Sequence, residues 1–202
     1  MNKQITLLFI LSALFAHAQN KTADNLNRLG ITHYDSSNFV AAINCFTKAI
    51  SLDSTNPEYY SNRALCRYDM KNFGDALTDI DKAIKLKASY PGLYYIRGLI
   101  QEKTGEHEQA KKDFTKEIIF NQGCYKCYYN LGNMYADEKE NDLALKMYDK
   151  AILANIEFKE AWNNRAVLKY RLKDKTGACA DWKKAFELGD KEAAKDLSRF
   201  CN

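Results

Sequence analysis

The chain is poor in the two residues that most often interrupt helices, because its 202 positions include only two prolines and nine glycines. This scarcity leaves room for long helices. A charge excess of one sign is also absent: the formal net charge is +4, and basic residues alternate with acidic ones. The composition therefore gives no indication of nucleic-acid binding, and a hydrophobic fraction of 46% favours a folded chain.

The sequence also lacks the patterns of the common catalytic and metal sites. No glycine-rich phosphate loop, serine nucleophile elbow or zinc-binding His-Glu-x-x-His segment occurs. Of the three histidines, His17 falls in a segment that we expect to be removed. His107 occupies a repeat position that is Phe39 and Phe73 in the two earlier blocks, which indicates a half-buried packing residue. We therefore predict a protein that is not an enzyme and that uses no metal or cofactor.

Residues 1–18 have the three parts of a secretory signal peptide. A positive charge at Lys3 precedes an apolar run from Ile5 to Phe15, and small residues follow up to Ala18. The apolar run is shorter than the roughly 20 residues that a membrane-spanning helix needs. We predict cleavage between Ala18 and Gln19, a periplasmic or secreted location, and no membrane span in the mature chain.

From residue 23 onward the sequence repeats every 34 residues without a gap. The five blocks cover residues 23–56, 57–90, 91–124, 125–158 and 159–192. Small residues recur at positions 8, 20 and 27 of the blocks, and large ones recur at positions 24 and 28. The residues at position 24 are Phe46, Ile80, Phe114, Tyr148 and Trp182.

Each block contains two apolar-periodic segments of helical length with a turn signal between them. The small residues let the two helices approach closely, and Pro57 and Pro91 open their blocks at a helix start. A single hairpin cannot bury its apolar face alone, so we predict that the hairpins stack. A short lead-in at 19–22 precedes the array, and a capping helix at 193–202, with Asp190 as its N-cap, follows it.

These columns resemble the tetratricopeptide repeat. The residues that carry the resemblance are the Leu29–Gly30 pair, the alanines at positions 20 and 27 and the aromatic or apolar residues at position 24. The resemblance covers residues 23–192. It implies an all-α fold, a right-handed α-solenoid of stacked helix-turn-helix hairpins with a C-terminal capping helix. The sequence departs from the family at Glu117, where alanine is usual, and in lacking a proline near the end of each block. We expect Glu117 to loosen the third hairpin or to lie at a helix edge.

In this family the first helices of the hairpins line a concave groove, and positions 2, 5, 6, 9, 12 and 13 face it. The resemblance implies a scaffold or adaptor that binds a protein or peptide there. Tyrosine offers contact area at low entropic cost, and asparagine amides can pair with an extended backbone, although both also belong to the repeat consensus. The predicted groove residues are Tyr34, Asn62, Leu65, Tyr68, Tyr95, Lys126, Tyr129, Asn130, Asn133, Asn163, Asn164 and Tyr170.

One known use of this groove is not expected here. Family members that bind chaperone tails carry a clamp of lysine and asparagine in one repeat, asparagine in the next, and lysine and arginine in the third. Asn27 and Ile31 replace the first pair, and Gly92 and Ile96 replace the last.

The alternative to a groove-binding adaptor is a structural component of an envelope assembly that uses the convex face or the ends of the array.

Six cysteines in an exported chain favour disulfide bonds. The repeat register places one pair on neighbouring helices of the first two blocks and another on the last block and the capping helix. The third pair begins a helix as Cys-Tyr-Lys-Cys, which fits a local disulfide, two half-buried thiols or a redox-active pair. In this order the pairs are Cys45 with Cys66, Cys179 with Cys201, and Cys124 with Cys127.

Overall fold

The computed structural model describes residues 3–201, with side chains from residue 18, so most side chains of the predicted signal segment lie outside it. Residues 3–201 form eleven α-helices and no strand. The helices are α1 Lys3–Asp35, α2 Phe39–Leu52, α3 Pro57–Asp69, α4 Phe73–Leu86, α5 Leu93–Thr104, α6 His107–Phe120, α7 Tyr125–Asp137, α8 Asn141–Ala154, α9 Lys159–Arg171, α10 Lys175–Glu187 and α11 Lys191–Phe200. The predicted all-α class of stacked hairpins is confirmed. Within the described part, no helix is long and apolar enough to cross a membrane.

The chain divides into two compact units, Met1–Glu106 and His107–Asn202. Unit 1 contains α1 to α5, and unit 2 contains α6 to α11. In unit 1, α1 pairs with α2 and α3 with α4, while in unit 2, α7 pairs with α8 and α9 with α10. The first helices of successive blocks also touch, α1 with α3 and α3 with α5 in unit 1, and α7 with α9 in unit 2. Each unit therefore sets its first helices side by side.

Asparagine and aspartate side chains close several of the helix starts. The side chain of Asn38 accepts a hydrogen bond from the backbone N–H of Ala41 at 3.3 Å, and Asp174 accepts one from Gly177 at 2.9 Å. Asp190 accepts two from the first turn of α11, at 2.9 and 3.0 Å. The N-cap predicted for the final helix is confirmed.

Pro57 is the first residue of α3, as predicted, but Pro91 does not begin α5. Gly92 follows it with a φ of 84°, in the left-handed region that glycine adopts without strain. A residue with that conformation cannot continue a right-handed helix, so α5 begins at Leu93.

Two expectations for the third block are corrected. His107 is exposed rather than half-buried, because it is the first residue of α6 and lies at the open end of that helix. Glu117 is only 1% exposed, so it does not lie at a helix edge. It shares the buried side of α6 with Asp113 and Phe114, three and four residues before it.

The contact between positions 8 and 24 determines how closely the helices of a hairpin approach. Gly30 of α1 lies against the ring of Phe46 of α2, and a Cβ built on Gly30 would lie 2.5 Å from that ring. Gly132 of α7 has the same relation to Tyr148 of α8, at 2.7 Å. In these two hairpins the aromatic ring occupies the space that a side chain at position 8 would need.

A buried ion pair that we did not predict from the sequence joins the helices of the second hairpin, and another joins those of the fifth. Arg63 of α3 donates two hydrogen bonds to Asp79 of α4, both at 2.8 Å. Arg165 of α9 binds Asp181 of α10 in the same way, at 2.8 and 2.7 Å. Both aspartates are 3% exposed. Bidentate pairing compensates for the removal of these charges from water.

The last helix covers the end of unit 2. Cys179 of α10 is bonded to Cys201, directly after α11, with an S–S distance of 2.06 Å, so this predicted pair is present. Phe200 of α11 stacks on Trp182 of α10 with ring centroids 5.7 Å apart. A covalent bond and an aromatic contact therefore hold the cap on the final hairpin.

The predicted disulfide between Cys45 and Cys66 is wrong, because both residues are free thiols. Cys66 packs in a buried cluster with Phe46. Cys45 precedes Phe46 and is therefore turned about 100° around α2 from the side that meets Cys66. Burial raises the pKa of the Cys66 thiol to about 12, so this group stays protonated at neutral pH.

We expect Gly30→Ala to destabilise the protein by about 1–3 kcal/mol, because the new Cβ overlaps the Phe46 ring. Adding Phe46→Ile reproduces the Ala64 and Ile80 combination of the second block, so the double variant should be more stable than the sum of the two single effects. Urea unfolding of the four proteins measures this coupling. Additive effects would show that positions 8 and 24 do not constrain each other.

Candidate peptide-binding surface

The predicted tyrosines of unit 1 lie on the three adjacent first helices. Tyr34, Tyr68 and Tyr95 are half-buried on α1, α3 and α5. The ring of Tyr34 packs on Phe39 with centroids 5.6 Å apart, and that of Tyr68 packs on Phe73 at 5.8 Å. We call the side of α1, α3 and α5 formed by positions 2, 5, 6, 9, 12 and 13 the unit-1 inner face. The phenylalanines support the rings of Tyr34 and Tyr68, and all three tyrosines remain partly exposed.

A chain of side-chain hydrogen bonds joins α1 to α3 on this face. The amide nitrogen of Asn62 donates to the Asn27 oxygen at 2.9 Å, and the Asn27 nitrogen donates to Glu58 at 2.9 Å. Tyr90, from the loop before α5, lies near enough to the same carboxylate for its charge to act on the phenol. Burial, followed by the charge of Glu58, raises the pKa of Tyr90 to about 12. The amide donor that we predicted for a peptide at Asn62 is therefore used between the helices.

Two further phenols donate to carboxylates at the ends of the unit-1 inner face. Tyr34 donates to Asp69 at 2.6 Å, and Tyr59 donates to Asp24 at 2.5 Å. Burial first, and then these hydrogen bonds, raise the pKa of both phenols. The bonds connect consecutive first helices and fix the two carboxylates in place.

Unit 2 has a similar network between α7 and α9. The amide nitrogen of Asn164 donates to the Asn133 oxygen at 2.9 Å and to the Tyr129 hydroxyl at 3.1 Å. The Tyr148 hydroxyl donates to the same Asn133 oxygen at 2.8 Å. We call the corresponding side of α7 and α9 the unit-2 inner face. Its asparagines join the helices, as Asn62 does in unit 1.

The other predicted residues of unit 2 have different surroundings. Lys126 is exposed at the start of α7, and Asn130 is half-buried. The Oδ1 atom of Asn163 is buried and accepts no hydrogen bond from any residue that the structure describes. Tyr170 is 37% exposed and its ring lies 4.6 Å from that of Phe200, so it contributes to the cap as well as to the inner face.

The Cys-Tyr-Lys-Cys segment begins α7. Cys124 is the N-cap, and its Sγ accepts the backbone N–H of Cys127 at 3.2 Å. The two sulfur atoms are 2.06 Å apart, so the local disulfide is the alternative that the structure contains. It holds the first turn of the helix that carries Tyr129.

The described residues contain no group of three or more histidine, cysteine, aspartate or glutamate side chains that could hold a metal ion. Half-buried tyrosines and aliphatic residues, together with fixed carboxylates, can bind another chain through contact area and charge.

Two family models agree with this geometry. A tetratricopeptide repeat model matches residues 27–92, and a second model of the same description matches residues 91–116 and 125–155. The chain belongs to the tetratricopeptide repeat family. Several structures of such helical arrays resemble it, and they differ in how closely their sequences match.

The crystal structure of MamA is 25% identical, with a TM-score of 0.68, and the match covers 82% of this chain and 96% of that one. PilF of Pseudomonas aeruginosa is 15% identical with a TM-score of 0.81, covers 86% and 79%, and shows the shared fold alone. The first tetratricopeptide domain of Spaghetti (RPAP3), bound to the HSP90 peptide SRMEEVD, is 26% identical with a TM-score of 0.58 and covers 59% and 98%.

Curated relatives match over a short segment. The small glutamine-rich tetratricopeptide repeat-containing protein beta of Homo sapiens and that of Rattus norvegicus are each 48% identical over 42 residues. This segment is 21% of this chain and 14% of each relative. The match identifies the repeat and does not extend to the rest of those proteins.

Some residues of the inner faces were not among the predicted sites. Asp69 could have been predicted, because position 13 is also an aspartate in two other blocks, as Asp35 and Asp137. Glu58 is at a groove position but was not selected. Tyr90 lies in a loop between two blocks, where the family pattern has no column that identifies a partner for Glu58.

We expect the stability of the protein to fall between about pH 10 and pH 12. The folded pKa of Tyr90 is about 12, above the ordinary value near 10, so the folded state holds this proton more tightly. The stabilisation is complete below pH 10 and is lost as the pH rises through the folded pKa.

The free energy of unfolding, measured against pH, should decline less in Tyr90→Phe than in the natural chain. In Glu58→Gln the phenol should titrate nearer its ordinary value. Identical pH profiles for the natural chain and Tyr90→Phe would contradict the assignment of Tyr90.

Proposed function

We propose that this tetratricopeptide repeat protein is a non-enzymatic scaffold or adaptor that binds a protein or peptide through the inner faces of its first helices, outside the cytoplasm. The observation that carries the proposal is the set of half-buried tyrosines and aliphatic residues on adjacent first helices. They present contact area on a rigid support, because the phenylalanines and hydrogen bonds behind them restrict their motion.

The similarity to the RPAP3 domain supports peptide binding, since that domain is bound to a peptide. The kind of peptide is not carried over. Asn27, Ile31, Gly92 and Ile96 stand at the positions where the chaperone-tail clamp has its polar and basic residues. The partner of this chain must be recognised by other contacts.

Export is supported by the signal pattern of residues 1–18 and by two disulfide bonds. Such bonds persist in oxidising compartments, including the bacterial periplasm and the outside of the cell. Because α1 runs from Lys3 to Asp35, cleavage after Ala18 leaves residues 19–35 as the first helix of the first hairpin.

A structural role in an envelope assembly is the second candidate. Ile119 and Leu153, both at position 29 on second helices of unit 2, are 72% and 86% exposed. Other blocks have Ser51, Lys85 or Glu187 at this position. Two exposed aliphatic residues at the same repeat position offer apolar surface for an additional protein contact.

A crosslinking pull-down from the native exported fraction, with the chain from Gln19 as bait, separates the two roles. We expect the combined change of Tyr68, Tyr95 and Tyr129 to alanine to abolish capture of a recurrent partner, because it removes the contact area of both inner faces. The matched control, Ile119→Ala with Leu153→Ala, should retain the partner.

Thermal unfolding of both variants checks that they fold. If the tyrosine variant is unstable, Leu65→Ser replaces it, because Leu65 lies on the same face without an inter-helix hydrogen bond. Capture that survives the inner-face changes but is lost in the control variant would reject groove binding and support the assembly role.

A further inference from the structure

An apolar column crosses the unit-1 inner face. Position 9 is Ile31 on α1, Leu65 on α3 and Leu99 on α5. Ile31 is 36% exposed, and the other two side chains are half-buried. On the unit-2 inner face the same position is Asn133 and Val167. Unit 1 therefore presents a strip that aliphatic side chains of a partner can cover favourably.

Carboxylates flank this column on both sides, at helix starts and at helix ends. At the inner-face positions of unit 1 the acidic residues outnumber the basic ones, which are Arg28 and Lys103. The acidic residues are Asp24, Asp35, Glu58, Asp69 and Glu102. Local charge is thus −3 on a chain whose formal net charge is +4.

Neutral donors, rather than cations, hold three of these carboxylates. Tyr59 donates to Asp24, Asn27 donates to Glu58, and Tyr34 donates to Asp69, at 2.5, 2.9 and 2.6 Å. In the interior of the second hairpin, by contrast, cations bind the carboxylate, since Arg63 and Arg67 both form ion pairs with Asp79. On the inner face the hydrogen bonds order the carboxylates and leave their negative charge in place.

The dimensions of the face suit an extended segment. Packed helices lie about 8–10 Å apart, so a segment that crosses three of them spans roughly 20 Å. An extended chain advances about 3.3 Å per residue, which corresponds to about seven residues. Its aliphatic side chains can lie on the position-9 column while long basic side chains reach the flanking carboxylates.

We propose that the unit-1 inner face binds an extended protein segment of about seven residues in which aliphatic residues alternate with lysine or arginine. This inference rests on the proposed function and adds the chemical class of the partner. Charge complementarity would set its specificity, and the aliphatic column would supply contact area.

Synthetic peptides test the proposal on the chain from Gln19. Fluorescence anisotropy is measured with three labelled peptides of equal length, in which leucine alternates with lysine, with glutamine or with glutamate. At low ionic strength the lysine peptide should bind about tenfold more tightly than the glutamine peptide, because several exposed charge pairs contribute a modest amount each. The glutamate peptide should bind most weakly, and the difference should shrink as salt is added.

A charge-matched pair of variants locates the effect. Asp35→Asn, Asp69→Asn and Glu102→Gln together remove three charges from the face, and the amide oxygen at 69 can still accept from Tyr34. Glu106→Gln, Glu157→Gln and Glu187→Gln remove three exposed charges elsewhere. The first variant should lose about tenfold in affinity for the lysine peptide, and the second should keep it.

The failures of the two proposals are distinguishable. Equal affinity for all three peptides, with binding lost in Leu65→Ser, would overturn the basic partner and leave groove binding intact. Equal losses in both charge variants would also overturn it, because the effect would then follow net charge. Absence of binding to every peptide overturns this inference, and the tyrosine pull-down decides groove binding independently.

Discussion

The structure depends on a small residue at position 8 facing a large one at position 24. In the first and fourth hairpins, glycine lets an aromatic ring of the second helix lie directly on the backbone of the first. Within each unit, successive first helices also touch one another. The inner faces exist because those helices are neighbours, about one helical step around from the side that carries position 8.

Polar side chains are used in two contrasting ways. Inside the second and fifth hairpins, Asp79 and Asp181 are buried against arginines, which cancel their charge. On the unit-1 inner face, Asp69 and Glu58 are held by phenol and amide groups, which leave the charge uncancelled. Acidic residues therefore stabilise a hairpin in one place and give a surface its negative charge in another.

The 34-residue repeat and the family resemblance together predicted an all-α fold of stacked hairpins, because small and large residues recur in register with helical geometry. Adjacency in that register also predicted the bond between Cys179 and Cys201. It failed for Cys45, since neighbouring helices do not determine which way a side chain points around the helix. The start of α5 was missed because Gly92 has a left-handed backbone.

The site was predicted less completely than the fold. The family pattern placed Tyr34, Tyr68 and Asn62 on the first helices, but it did not show that Asn62 bonds to Asn27. Which side chains form hydrogen bonds between two helices depends on differences in distance of a few tenths of an ångström, and the repeat period does not predict such differences. The buried ion pairs could have been predicted, because every block with an arginine at position 7 also has an aspartate at position 23.

The claim that the inner face is the binding surface is tested most directly by site-specific photocrosslinking. A photoreactive amino acid replaces Leu65 on the unit-1 inner face in one chain and Leu153, on the outer side of α8, in another. The account predicts that the native partner is crosslinked from position 65 and not from position 153. A partner captured only from position 153 would contradict it.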